Sequence, residues 1–335
     1  MLGCLRFFLA LAVAFSHMGL TPDFHFGAMA VVTFFMIAGY VMTHSFQANF
    51  GASLGNLRAF YTDRLVRLYP LYALSLVLIL AFTLGAPYGK MYLDPKSILV
   101  NLTIVWGNVH PTLINPPAWS LATEMQFYLL LPFLVCFPRV KLLLLPLSYL
   151  VFLLASWEGI PAIEWGYKYL PGTLCMFILG SVIYDMRSDP TGRARRIVIT
   201  GVALVLVQAL LLANSKHIDH PYIFETLAGI LLGVVGLLTL ADSQPRYRAL
   251  DDWLGKLSYP LFLSHPCVLY FFDHLRIQGA YTPSPRGAVA VQLIAAVALS
   301  VPLALLDDRV QRLRKRLQRR QTGTAPVKAV ELKAA

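Results

Sequence analysis

Charge is what this sequence has least of. Asp, Glu, Lys and Arg make up 13% of its 335 residues, about half the share usual in a soluble domain. With 57% hydrophobic residues and a mean hydropathy of +0.63, a water-soluble fold is excluded. Cysteine is sparse too: Cys4, Cys136, Cys175 and Cys267 lie in or beside apolar runs, with no CxxC or Cys/His spacing. That pattern excludes a recognisable zinc or thiol-redox motif, so they read as small core hydrophobes and no metal is expected. No internal repeat or low-complexity block is present, and no soluble domain. A cleavable N-terminal signal is imitated by Arg6, the apolar run and Ala12-Val13-Ala14, but cleavage there would leave an apolar region of only Phe7 to Leu11, too short to serve.

What the sequence does have is apolar runs long enough to cross a hydrocarbon core of about 30 Å. They predict an all-α polytopic bundle of about ten transmembrane helices: 2–19, 27–46, 69–85, 119–137, 140–157, 168–186, 196–213, 222–241, 254–275 and 286–306. The third is interrupted near Pro70, and the stretch at 97–106 is too short to span, which suits an interfacial or re-entrant segment. Orientation follows from Lys and Arg in the short loops. With the N-terminus inside, the inner loops hold Arg58, Arg64, Arg67, Arg139, Lys141, Arg187, Arg193, Arg195, Arg196, Arg246 and Arg248, and the outer ones only Lys90, Lys96, Lys168, Lys216, Arg276 and Arg286. Both termini are therefore expected in the cytoplasm. The net charge of +11 reads as a topology signal and not as a nucleic-acid footprint. Residues 1–310 are taken as one membrane domain and 311–335 as a disordered basic cytoplasmic tail touching anionic lipid, the stretch from Arg309 to Lys333 adding to the inner positive charge.

Ionisable groups inside a span normally face a partner or a wet cavity. Arg6 and His17 bracket an otherwise apolar or small stretch. Eleven residues apart on a helix, they share a face and lie about 16 Å apart along it. Taken singly, Arg6 also reads as a snorkelling anchor and His17 as an interfacial histidine. Arg64 and Arg67 share a helix face before Pro70, a fork geometry that suits phosphate, though a positive-inside anchor with Tyr69 and Tyr72 fits as well. Glu124 lies five residues into the fourth span, about 7 Å in. That places it at a depth similar to His17, whose tautomer a carboxylate can fix. Ser258, Tyr259, Ser264 and His265 bring polar groups into the ninth span between Pro260 and Pro266, which suits a cavity wall or a packed helix equally.

Taken together, these stretches resemble the acyltransferase-3 family of integral membrane acyltransferases. The likeness runs in order along the chain: Arg-x10-His at Arg6 and His17, FFMIAGY for an FFxxSG-type second span, DRLVRLYP for R-x-x-R-x-Y-P, WSLATEMQFY for WSLxxExxFY, and SYPLFLSH for SYxxYLxH. Ala38 stands where the usual serine would be and Phe262 where the usual tyrosine would be, so neither hydroxyl is essential here. The resemblance implies transfer of an acyl group, most often acetyl, from cytoplasmic acyl-CoA (acetyl-CoA) to a hydroxyl of a cell-surface or lipid-linked glycan, in the bacterial inner membrane. It implies His17 as catalytic histidine with Glu124 in the site, and Arg6, Arg64 and Arg67 on the donor side. No SGNH-like domain is expected to assist.

The combined expectation is that acyl-CoA docks its phosphates on Arg64 and Arg67 and its pantetheine arm passes Arg6. His17, oriented by Glu124, then acts as general base or transient acyl carrier. Ser258, Tyr259 and His265 are candidates for the oxyanion. The rival readings are a transporter or flippase for a lipid-linked sugar, a non-catalytic scaffold, a polyprenyl-glycan glycosyltransferase, and acylation of a small secondary metabolite.

Overall fold

The computed structural model describes residues 1–19, 24–83, 94–215, 222–244, 246–280 and 284–322, with the backbone alone for Pro285 and 317–322. Lys90, Lys216 and the tail beyond Thr322, which entered the orientation argument, lie outside the described residues. Among the described residues every regular element is helical. They are α1 (Leu2–His17), α2 (Phe26–Phe50), α3 (Leu57–Thr83), α4 (Pro95–Thr103), α5 (Ala118–Cys136), α6 (Pro138–Ser156), α7 (Leu170–Asp185), α8 (Arg193–Ala213), α9 (Ile223–Leu240), α10 (Arg248–Ile277) and α11 (Pro285–Thr322). By length and composition seven of them, α2, α3, α5, α6, α8, α9 and α11, can cross a membrane. The shorter α1 and α7, 16 residues each, and the more polar α10, 30 residues, pack among those seven.

The bundle is built around α2. Its sequence is apolar all round, the mark of a helix buried on every face, and Val32, Phe35, Met36, Tyr40 and Phe46 are all buried. Glycine decides how closely α7 approaches it. A Cβ on Gly39 would overlap the Phe177 carbonyl, and one on Gly180 would overlap the Met36 carbonyl, so the two backbones touch. Beside this crossing the Thr43 and Ser181 hydroxyls sit 2.8 Å apart. Phe177 stacks between Phe35 of α2 and Phe127 of α5, with centroids at 4.5 and 4.4 Å, which ties α5 to the same centre.

On the other side of α2, α1 packs on α10, and α10 and α11 pack on α3. The first turn of α1 is capped by a carboxylate from another helix: Asp251 accepts from Cys4 N at 2.8 Å and Gly3 N at 3.3 Å. Those amides have no intrahelical acceptor, and the negative charge suits the helix N-terminus.

Three boundaries differ from expectation. The third helix does not break near Pro70; it begins at Leu57 and runs through the proline. Side chains from neighbouring helices bond the carbonyls just before Pro70: Tyr259 Oη donates to Leu68 O at 2.8 Å and Gln311 Nε2 to Arg67 O at 3.4 Å. Second, the expected disorder does not start at 311, because α11 continues to Thr322. Arg, Lys, Gln and Leu are strong helix formers, so the helix outlasts its apolar stretch. Third, α5 begins inside the bundle. The short α4, N-capped by Asp94, hands over to a segment that turns inward, where Asn115 is fully buried and donates to Ser75 Oγ at 2.9 Å and Leu263 O at 3.1 Å. The 97–106 stretch, expected to lie in the interface or to re-enter, leads into this inward-turning connection. Outside the core, the Ser97 side chain first, and then the Ser97 and Lys96 amides, hydrogen-bond the Asp94 carboxyl and hold it below its ordinary pKa.

Candidate active site

Helices α1, α2, α3, α5, α10 and α11 enclose a cavity of about 270 Å³. Arg6 from α1, Arg64 and Arg67 from α3, and Glu124 from α5 all line it. Four of the five residues expected from the sequence are therefore brought together. Spacing explains the pair on α3, since residues three apart share a helix face. Arg64 is buried and fully engaged on one side: it pairs with Asp63, its Nη1 lies 2.7 Å from Met42 Sδ, and its guanidinium sits over the Phe60 ring at 5.5 Å. Its Nε has no hydrogen-bond partner among the described residues.

Arg6, Arg67 and Glu124 differ from Arg64. Among the described residues none of the three makes an ion pair, although Glu124 is within electrostatic reach of Arg6, Arg64 and Arg67. The Glu124 carboxylate instead accepts a hydrogen bond from Tyr128, one turn on. The cavity wall also carries Ser258, Tyr259 and a residue from the presumed tail, Arg314. Arg314 Nε lies 3.4 Å from Asp63 Oδ1, so Asp63 serves two guanidiniums. Around one small cavity stand Arg6, Arg64, Arg67 and Arg314, offset by Asp63 and Glu124 alone among the ion-pairing and lining residues. Such an excess of buried positive charge suits an anionic ligand.

The cavity does not stop at the arginines. A second, polar hollow of about 420 Å³ adjoins it, and Arg6, Arg67, Tyr259 and Arg314 line both. The rest of its wall includes Leu2 and Gly3 of α1, Asp251, Asp252 and Lys256 of α10, and Asp307, Asp308, Gln311 and Lys315 of α11, so acids and bases mix there. The first turn of α1 and the extension of α11 therefore lie at one end of the bundle, around one vestibule.

The fifth expected residue, His17, is elsewhere. It does not line the cavity, and Glu124 does not orient it. The depth argument failed because it counted from the start of α5 as if that were the outer surface, whereas Ala118 is already buried and Glu124 sits deeper, among the arginines. The hydrogen bond to His17 comes from its own helix: Nδ1 donates to Val13 O at 2.9 Å. That fixes the Nδ1–H tautomer of a neutral ring and leaves the Nε2 lone pair free. His17 is exposed, and one face of its ring meets His265 of α10, with centroids 5.2 Å apart. His265 is fully buried, and neither of its ring nitrogens has a hydrogen-bond partner among the described residues.

Cavity and histidines are one ring apart. Phe262 lines the cavity and its ring lies 6.3 Å from that of His265; Phe34, also on the cavity wall, meets Phe262 edge-on at 6.2 Å. Sequence reasoning missed Arg314, Asp63 and Tyr128. For Tyr128 a signal existed, since it falls four residues after Glu124. Asp63, an acid beside Arg64 in a basic segment, had a signal as well. Arg314 had none, because one arginine among many in RVQRLRKRLQRR is indistinguishable from a solvated face.

The fold and site define a multi-pass membrane protein with a buried, arginine-walled cavity fed from one end of the bundle. The acyltransferase-3 profile, described as an acyltransferase domain, matches residues 2–306, and the chain belongs to that family. It is a membrane acyltransferase. A protein of Aquifex aeolicus (strain VF5), described only as uncharacterized, is similar to it: 28% identical over 233 residues, covering 68% of this chain and 100% of its own. No solved structure matches.

Proposed function

We propose that the protein moves an acyl group, acetyl in the simplest case, from cytoplasmic acyl-CoA to a hydroxyl of a cell-surface or lipid-linked glycan. The observation that carries this reading is the pair Arg6 and Arg67, two guanidiniums facing a cavity with no ion-pair partner among the described residues. A polyphosphorylated donor supplies the missing anion. In this reading α1, α7 and α10 span together with the seven longer helices, the vestibule opens to the cytoplasm, and the membrane is the bacterial inner one. The Lys and Arg bias of the loops supports that orientation.

The donor phosphates lie on Arg67 and Arg314 where vestibule and cavity meet, with Arg64 behind them on the cavity wall, and the pantetheine arm enters past Arg6 and Tyr259. Displacement of Phe262 joins the cavity to the histidine pair. His17 Nε2 takes the proton of the acceptor hydroxyl as its oxygen attacks the thioester carbonyl. The C–S bond breaks, the new ester keeps the acyl group, and the CoA thiolate leaves and takes up the proton from His17. Of the three oxyanion candidates, Ser258 and Tyr259 belong to the arginine cavity, whereas His265 stands beside His17 and has free ring nitrogens. Glu124, with Tyr128, holds the arginine cluster in register.

Mass spectrometry of surface glycans from cells lacking the gene, complemented with wild type or His17→Ala, tests the reading. An acyl mass increment restored by wild type and absent with His17→Ala is expected. Identical glycans in all strains, or full acylation by His17→Ala, would overturn it.

A further inference from the structure

One cavity larger than the arginine-walled one has no place in the mechanism above. It is a cleft of about 990 Å³ between α6 and α8, floored by α7 and α9. Its floor is buried and apolar, with Met176, Leu179 and Ile230. Its rim, Leu150 on α6 and Leu204 on α8, is half exposed, so the cleft opens sideways onto the outer surface of the bundle. In a membrane protein that surface meets lipid chains.

The two ends of the cleft are unlike. Toward the C-terminal ends of α6 and α8 a polar bridge joins the helices: Tyr149 Oη donates to Gln208 Oε1 at 2.7 Å, and Gln208 Nε2 donates to Ser156 Oγ at 2.9 Å. At the other end stand Arg193 and Arg196, three residues apart on the first turn of α8. Both line the cleft, and neither makes an ion pair among the described residues. A hydrocarbon slot with two unpaired guanidiniums at one end complements a molecule with a long apolar chain and an anion at its tip. An entirely apolar occupant leaves the arginines unused, and a soluble anion leaves the slot unfilled.

We propose that this cleft binds an anionic phospholipid, one acyl chain lying along α7 and the phosphate on Arg193 and Arg196. The site rests on the membrane placement of the chain and is independent of the acyl-transfer reading. Gly201 gives a clean way to close it. This residue lines the cleft, and a Cβ there would meet only Leu179 Cδ1, at 3.7 Å. Gly201→Phe therefore fills the slot without a backbone clash.

The test is native mass spectrometry of the purified full chain in detergent, titrated with dioleoyl phosphatidylglycerol, dioleoyl phosphatidylcholine and glycerol 3-phosphate. Wild type should retain one phosphatidylglycerol, bind phosphatidylcholine on the order of tenfold more weakly, and ignore glycerol 3-phosphate. Arg193→Gln with Arg196→Gln should erase the preference for phosphatidylglycerol, and Gly201→Phe should abolish retention of either lipid with the melting temperature unchanged. Equal affinity for both lipids, competition by glycerol 3-phosphate, or a bound phospholipid undisturbed by Gly201→Phe would overturn the proposal. So would a dimer that Gly201→Phe dissociates.

Discussion

A guanidinium among apolar helices persists only where an anion or a hydrogen-bond acceptor meets it, and the cavity arginines divide on that criterion. Asp63 pairs with Arg64 and Arg314, whereas Arg6 and Arg67 have no ion pair among the described residues. Removing Asp63 leaves two cations facing each other. Asp63→Ala should lower stability by about 3–5 kcal/mol, seen as an earlier melt in detergent, and CoA should raise the midpoint again by binding the folded state. Arg67→Ala deletes a charge-assisted contact of about 1.5–3 kcal/mol. It should raise KM for acyl-CoA by roughly ten- to a hundredfold and change kcat less; a loss confined to kcat would remove Arg67 from donor binding. The sequence disclosed Arg6 and Glu124 as ionisable groups in apolar runs, and Arg64 and Arg67 as two guanidiniums sharing a helix face before Pro70. Of their partners, Asp63 and Tyr128 carried a sequence signal and Arg314 carried none. Depth counted along one helix cannot see that α5 starts below the surface, and so Glu124 was assigned to His17 instead of to the arginines.

At the scale of elements, the close crossing of α2 and α7 depends on two glycines. Gly180→Ala forces a methyl into the Met36 carbonyl and should cost about 1–3 kcal/mol as overpacking does. Gly201→Ala, whose Cβ would make one ordinary contact with Leu179 Cδ1 at 3.7 Å on the more exposed α8, should be neutral or slightly stabilising, since alanine favours a helix over glycine. Paired thermal melts check the contrast, and equal shifts would contradict the packing argument. Helix α11 combines two roles, an apolar segment packed on α3 and α10 and an extension that delivers Gln311 and Arg314 to the vestibule. Arg314→Ala should weaken CoA binding about tenfold while leaving the fold intact, as isothermal titration would record. Apolarity located the first segment in the sequence. It could not show that the helix continues, because helix propensity and hydrophobicity part company once charged residues take over.

Across the whole molecule, vestibule, arginine cavity, Phe262 and the His17–His265 pair form a contiguous series, from the end shared by the start of α1 and the extension of α11 toward the far end of α1. Arg6 and His17 sit toward opposite ends of one short helix; in the proposed reaction the donor and the acceptor approach from those two sides. A helical membrane fold and its family motifs were legible from composition and residue order. The separation of His17 from the cavity was not, since it depends on aromatic rings from α2 and α10 that sequence shows only as apolar. The most direct test is acetyl-CoA binding to purified protein in lipid nanodiscs, compared among wild type, Arg64→Ala with Arg67→Ala, and His17→Ala. Saturable binding that the double variant loses and His17→Ala keeps is the predicted result; binding unaffected by loss of both arginines, or none to wild type, would contradict it.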